Sequence, residues 1–218
     1  LYFFSHITTN AFLLSEKKVE KAVQLWHLEH AVITLDGTEQ NYNRIKAFIH
    51  PNEPSPFQRV LTNIGMLLYA GVDVKVRLHV SLENVQDIRE LMSILADRFA
   101  GSSLLSLQIL HLFELVGPEA RVLSSEERAK LLREIHRLKQ YGYELGISKP
   151  KELRRNPKFY RCMVDSEEAV MIVPDGHLGL CEHHLESRFF GHIDHDEWDM
   201  EVLRQSREYC EEIPECDS

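Results

Sequence analysis

Four cysteines are the residues of this sequence whose type and spacing point most directly to chemistry. They are Cys162, Cys181, Cys210 and Cys216, and the first 161 residues contain none. In a secreted protein four cysteines would indicate two disulfides, but no secretion signal is visible here. In a cytosolic chain, clustered cysteines are more often metal ligands. The spacing therefore predicts a metal centre near the carboxyl end of the chain.

Three polar residues close apolar runs in the first part of the chain. Asn10, Thr34 and Asp36 each end a stretch that is typical of a buried strand. Ligands of open α/β sheets bind beyond the carboxyl ends of the strands, so these side chains are candidate ligand contacts. Asp36-Gly37 is also a common turn sequence, and we weigh the two interpretations equally.

Composition indicates an ordinary folded protein and excludes some classes of partner. Of the 218 residues, 44% are hydrophobic and 27% are charged, and the formal net charge is −9. This acidic balance predicts no long-range attraction to nucleic acid. The sequence has no apolar run of about 18 residues and no signal peptide, so we expect no membrane span and a cytoplasmic location.

The spacing of apolar residues predicts an α/β fold for the first part of the chain. Strand-like runs occur at residues 3–9, 30–35, 73–80 and 104–112, and amphipathic helical patterns occur at 15–25, 56–70 and 84–99. Strands that alternate with helices predict a parallel sheet with covering helices. About four such units are too few to close an eight-stranded barrel.

The pattern changes after Gly117-Pro118. Ser124 and Glu127 form a capping box that predicts a long helix, and residues 149–158 are typical of a linker. Strand-like runs on both sides of Pro174-Asp175-Gly176 predict a β-hairpin, and residues 198–209 predict a helix. We divide the chain into an α/β part at 1–120, a connecting helix and linker at 121–158, and a small α+β domain at 159–218.

Segments of the first part resemble the core of radical S-adenosylmethionine (radical SAM) enzymes that carry SPASM domains. Residues 7–10 read ITTN and resemble a TTNG segment, with Ala11 where glycine is usual. Residues 32–37 read VITLDG and resemble an SLDG segment, with Thr34 in place of serine. Residues 41–44, 71–80 and Asn84 follow at similar spacing. The resemblance implies the later strands of a partial (β/α) radical SAM barrel.

The cysteines resemble the SPASM signature of auxiliary iron–sulfur domains. Thirteen residues separate Cys162 from Gly176, four separate Gly176 from Cys181, and Cys210 and Cys216 match a C-x5-C portion. The next cysteine of the signature would fall beyond Ser218, and the C-x3-C-x2-C loop of the catalytic cluster is absent from these 218 residues. The resemblance thus implies a fragment that does not turn over alone and whose unpaired sheet edge promotes aggregation.

Two positions depart from the signature. Arg207 stands where the first cysteine of C-x2-C-x5-C is expected, and Glu168 stands where some sulfatase-maturating relatives have another ligand. The number of auxiliary clusters is therefore left open, at one or two.

The cofactors implied by the resemblance are SAM and [4Fe–4S] clusters, one catalytic and the others held by the four cysteines. Asn10 and Thr34 would bind the ribose or carboxylate of SAM, Asp36 is a further cofactor contact, and Arg77 would pair with the carboxylate. Glu182, next to Cys181, would serve as the base that takes a proton from the oxidised substrate, or is an exposed hairpin residue.

The activity implied by the resemblance is the modification of a peptide or protein side chain after hydrogen abstraction by a 5′-deoxyadenosyl radical. Flavodoxin or ferredoxin would supply the electron.

Two other functions fit parts of the sequence. One is a non-catalytic module that holds zinc or an iron–sulfur cluster and binds a peptide, with zinc on Cys181, His183 or His184, Cys210 and Cys216. The other is a phosphate-handling α/β barrel enzyme with a zinc-bound tail, although no glycine-rich phosphate loop is present in the sequence.

Overall fold

The computed structural model describes residues 3–48, 55–99, 101–112, 123–148, 170–180 and 189–205. The chain divides into two units, Leu1–Lys151 and Glu152–Ser218. The boundaries that we placed at residues 120 and 158 remain predictions.

A parallel four-stranded sheet forms the centre of the first unit. Its strands pair in the order β1 (Ser5–Thr9), β2 (Leu28–Thr34), β3 (Asp73–Val80) and β4 (Leu105–His111), and each pairing is parallel. These bounds lie within about two residues of the predicted strands. The α/β class and the parallel sheet are therefore confirmed.

Five helices belong to this unit. They are α1 (Glu16–Trp26), α2 (Glu39–Lys46), α3 (Pro56–Tyr69), α4 (Val85–Phe99) and α5 (Ser125–Glu144). The predicted capping box is present, because Ser124 Oγ accepts from the Glu127 amide and Glu127 Oε2 accepts from the Ser124 amide. Helix α2 was not among the predicted helices, since Tyr42 is its single buried side chain and gives no apolar periodicity.

The two faces of the sheet differ in polarity, as the alternation of side chains along a strand requires. On β3, Val74, Val76, Leu78 and Val80 are fully buried against the core. The intervening residues, Asp73 to His79, lie on the opposite face and are charged and partly or largely exposed. The sheet therefore presents one polar face along its whole length, and this face carries the candidate site.

The second unit contains a small antiparallel sheet of β5 (Met171–Ile172), β6 (His177–Gly179) and β7 (Gly191–His192). The predicted hairpin is present at Pro174-Asp175-Gly176. Gly176 has φ +93°, and a Cβ there would lie 2.7 Å from His192 Nε2, so glycine suits the position in both conformation and space. Residues 200–205 are helical, at the start of the predicted helix.

Within the described parts of the chain, no helix combines the length and apolar character needed to cross a membrane.

Candidate functional site

Thr34, Arg77 and Gln108 form a row across the polar face of the sheet. Thr34 pairs with Arg77 between β2 and β3, and Arg77 pairs with Gln108 between β3 and β4. Paired residues of parallel strands share a face, so the three side chains are neighbours. Arg77 Nε donates a hydrogen bond of 3.1 Å to Gln108 Oε1, which fixes the guanidinium against the sheet. Its terminal nitrogens remain available to a carboxylate.

Asp36, Lys46 and His79 form a charged cluster beyond this row, towards the carboxyl ends of the strands. Asp36 Oδ2 lies 2.7 Å from Lys46 Nζ, and Asp36 Oδ1 lies 2.9 Å from His79 Nδ1. The Asp36 side chain is 15% exposed, so its charge is partly desolvated and depends on these two partners. Helix α2 ends at Lys46 and thereby brings the ammonium to the end of β2.

The Asp36-Gly37 turn positions the carboxylate of Asp36. Gly37 has φ +152°, and an added Cβ would collide with the Asp87 carboxylate. Asp87 Oδ2 also accepts a hydrogen bond of 3.1 Å from the Thr38 amide, in the first turn of α4. The two interpretations of Asp36-Gly37 are thus compatible: Gly37 makes the turn, and Asp36 points to the polar face.

The segment after β1 is held by one buried polar residue. Asn63 is 3% exposed, and its Nδ2 donates to the carbonyls of Ala11 at 2.7 Å and Leu14 at 3.1 Å. Ala11 has φ +57°, a left-handed conformation that explains why glycine suits this position. Asn10 is exposed, and its Oδ1 accepts from the Phe12 amide at 3.1 Å. This bond uses one lone pair and leaves the amide nitrogen for a ligand.

Tyr42 lies behind the charged cluster. Its side chain is fully buried, and its hydroxyl has no hydrogen-bond partner among the described residues. Burial, together with the nearby negative charge of Asp36, raises the pKa of Tyr42 to about 12. This tyrosine therefore stays neutral at physiological pH.

The structure brings three of the four predicted cofactor contacts to one face of the first unit. Thr34, Asp36 and Arg77 lie together, and Asn10 follows the strand next to β2. The sequence analysis missed Lys46, His79 and Gln108. His79 could have been found, because it stands two residues after Arg77 on the same strand face. Lys46 and Gln108 depend on a helix and a register that only the folded chain defines.

The predicted metal ligands Cys162, Cys181, Cys210 and Cys216 lie outside the described residues, as does Glu182. Among the residues that are described, no group of three or more His, Cys, Asp or Glu side chains is arranged to hold a metal ion. His192 instead packs over the hairpin, with Nε2 2.9 Å from the carbonyl oxygen of Asp175. Trp198, which we expected in the core, is 54% exposed.

The first unit is thus an open parallel α/β sheet whose polar groups gather on one face towards the carboxyl ends of its strands. No family model matches the chain, and no curated protein sequence matches it. Solved structures do match in fold. They include radical SAM/SPASM enzymes, one of them the anaerobic sulfatase-maturating enzyme anSMEcpe.

Native anSMEcpe with bound AdoMet and the Cp18Cys peptide superposes with a TM-score of 0.60 at 12% identity, over 94% of this chain and 58% of that one. His6-tagged anSMEcpe with bound AdoMet gives 0.56 at 12% identity, over 97% and 60%. SuiB from Streptococcus suis gives 0.52 at 13% identity, over 93% and 48%. At these identities the likeness shows the fold, and the chain spans about half to three-fifths of the length of these enzymes.

Proposed function

We propose that this chain is part of a radical SAM enzyme with a SPASM-type domain, which modifies a side chain of a peptide or protein. The observation that carries the proposal is the fold likeness over 94% of the chain to an enzyme whose structure contains both AdoMet and a peptide. The polar face supports it, because its hydrogen-bonding groups lie where open α/β sheets bind their ligands.

The residues of the polar face have the chemistry that SAM requires. Arg77 offers a guanidinium edge to the carboxylate, and Gln108 keeps that guanidinium in place. The Thr34 hydroxyl and the Asn10 amide can bond to ribose hydroxyls or to the carboxylate. A bound SAM would supply hydrogen abstraction from a substrate side chain. The task of this chain is to orient the cofactor and to exclude water.

Asp36 acts on the cofactor through its neighbours in this proposal. Both of its oxygens already contact basic groups, Lys46 and His79. The carboxylate thereby fixes His79 at the edge of the row that contains Arg77. We therefore assign Asp36 to positioning the site, with a direct bond to SAM as a further use of its remaining lone pairs.

The remaining parts of the proposal rest on the sequence. Cys162, Cys181, Cys210 and Cys216 would bind one or two auxiliary [4Fe–4S] clusters, because thiolates are the usual ligands of such clusters. Glu182 would take the proton released when the substrate radical is oxidised. Flavodoxin or ferredoxin would be the electron donor, and the enzyme would work in the cytoplasm.

Metal analysis tests the cluster assignment. The 218-residue chain is reconstituted anaerobically with iron and sulfide, in competition with zinc, and its iron, acid-labile sulfide and zinc contents are measured. We expect iron and sulfide in near-equal amounts, and their loss in a variant with Cys162→Ala and Cys181→Ala. Zinc without sulfide would replace the enzyme proposal with the non-catalytic metal-binding module.

Binding of SAM tests the polar face. Saturation-transfer NMR detects weak binding of SAM to the reconstituted chain, and Arg77→Gln should remove most of the signal. Arg133→Gln is the matched control, since Arg133 is an exposed arginine of α5. Equal signals from the two variants would show that Arg77 does not bind the cofactor.

A further inference from the structure

A second feature lies on the same polar face, at the amino half of the strands. A groove of about 540 Å³ runs between β2, β3, β4 and the flank of α5. Its volume falls within the range of about 300–1,000 Å³ that ligand sites occupy. Gln108 lines one end of the groove, and this residue also bonds to Arg77 in the candidate cofactor row. A ligand in the groove would therefore adjoin the cofactor row.

The charge of this groove is opposite to that of the whole chain. Lys75 and Lys139 line it, are exposed, and form no ion pair with any residue that the structure describes. The one carboxylate in the lining is Asp73, whose Oδ2 lies 3.8 Å from His30 Nδ1 at the amino end. A chain with a formal net charge of −9 thus leaves two uncompensated cations in one groove. Such local charge favours a ligand of negative charge.

The end of helix α5 does not oppose this attraction. The carbonyls of a helix C-terminus would repel an anion if they were unpaired. Here the carbonyls of residues 141–143 accept hydrogen bonds from the amides of residues 145–148. Tyr143 and Ser148 instead add side-chain hydroxyls to the lining.

We infer that this groove binds a carboxylate side chain of an acidic peptide, with Lys75 and Lys139 as its charge partners. The inference rests on the proposed function in taking a peptide as the ligand. Asp73 at one end of the groove disfavours a phosphate dianion, which carries more charge than a carboxylate. The groove also lacks the glycine-rich loop or helix N-terminus that phosphate sites use, among the residues that line it. A substrate with aspartate or glutamate close to the modified residue fits these features.

Peptide binding to the full 218-residue chain tests the inference. Fluorescence anisotropy compares a short fluorescein-labelled peptide that carries two glutamates with its twin that carries two glutamines. We expect the glutamate peptide to bind about tenfold more tightly in low salt, because two ion pairs form. Lys75→Gln and Lys139→Gln should each weaken binding about fivefold. Lys130→Gln, on the same helix as Lys139, should leave binding unchanged.

Several outcomes would overturn the inference. Equal affinity for the two peptides would exclude a carboxylate site, and tighter binding of a phosphoserine twin would assign the groove to phosphate. Equal losses in the Lys75, Lys139 and Lys130 variants would place binding elsewhere. The proposed function is separable, since SAM binding without peptide discrimination sinks only the inference. Discrimination by a chain that binds zinc and no SAM sinks only the enzyme.

Discussion

Asp36 and His79 are joined across the ends of two neighbouring strands, with Oδ1 2.9 Å from Nδ1. These residues are 43 positions apart in the chain, and Lys46 binds the other carboxylate oxygen at 2.7 Å. One carboxylate therefore connects β2, the end of α2 and β3 at the candidate site. Its removal should be felt in both stability and binding.

Asp36→Asn should lower the free energy of unfolding by about 1–2 kcal/mol, because two basic groups lose a partly buried partner. Urea unfolding followed by circular dichroism measures the loss. Asp97→Asn is the control, since Asp97 is an exposed carboxylate on α4, and it should change stability by less than about 0.5 kcal/mol. Indistinguishable midpoints for the two variants would mean that the cluster is a surface feature of no structural weight.

A glycine pair tests the turn that positions Asp36. Gly37→Ala should cost about 2 kcal/mol or more, because the added Cβ meets the Asp87 carboxylate and φ is +152°. Gly71→Ala is matched, with φ +83° and open space around its Cβ, and should cost only about 1 kcal/mol of backbone strain. Thermal unfolding of the two variants gives the difference. A Gly37 variant as stable as the Gly71 variant would contradict the close contact with Asp87.

The strands of the first unit could be predicted because their alternation is strong. Buried valine and leucine residues alternate with polar ones along β3, and a parallel sheet follows from the repeated order of strands and helices. Short helices were harder, since α2 buries Tyr42 alone and shows no apolar stripe. In α5 the expectation that Leu132 faces inward was wrong, as this side chain is 56% exposed.

The candidate site was less accessible to the sequence. Thr34, Asp36 and Arg77 could be named from their positions on strands, because strand ends are where ligands bind. That Arg77 faces Gln108, or that Lys46 reaches Asp36, depends on strand register and on the direction of α2. These quantities are set by packing between residues distant in the chain, so no local pattern contains them.

Asn63 should be essential to the segment that follows β1. Asn63→Leu leaves the carbonyls of Ala11 and Leu14 without their buried donor, and should cost about 2–4 kcal/mol. The same variant should weaken SAM binding, because Asn10 lies at the start of this segment. Thr62→Val changes an exposed neighbour on α3 and serves as the control. A stable Asn63→Leu protein with intact SAM binding would show that the segment holds its shape without the clamp.

Tyr42 predicts a specific loss of stability at high pH. Its pKa is about 12 in the folded protein, against a model value of 10.0. Because the folded state raises the pKa, this contribution is complete below pH 10 and declines as the pH rises towards 12. At pH 11 the protein should therefore have lost about 1.4 kcal/mol through Tyr42 alone.

Tyr42→Phe should lack this loss, and at pH 7 it should be about 1 kcal/mol more stable, since it removes a buried hydroxyl that has no partner among the described residues. Urea unfolding at pH 7 and pH 11 compares it with Tyr69→Phe, in which the altered side chain is 96% exposed. The difference in unfolding free energy between the two pH values should shrink for the Tyr42 variant and stay at the wild-type value for the Tyr69 variant. A Tyr42 variant that is less stable at pH 7 would mean that its hydroxyl has a bonding partner in solution. An unchanged pH dependence would mean that the folded state does not raise this pKa, and hence that Tyr42 is not sealed from water behind Asp36.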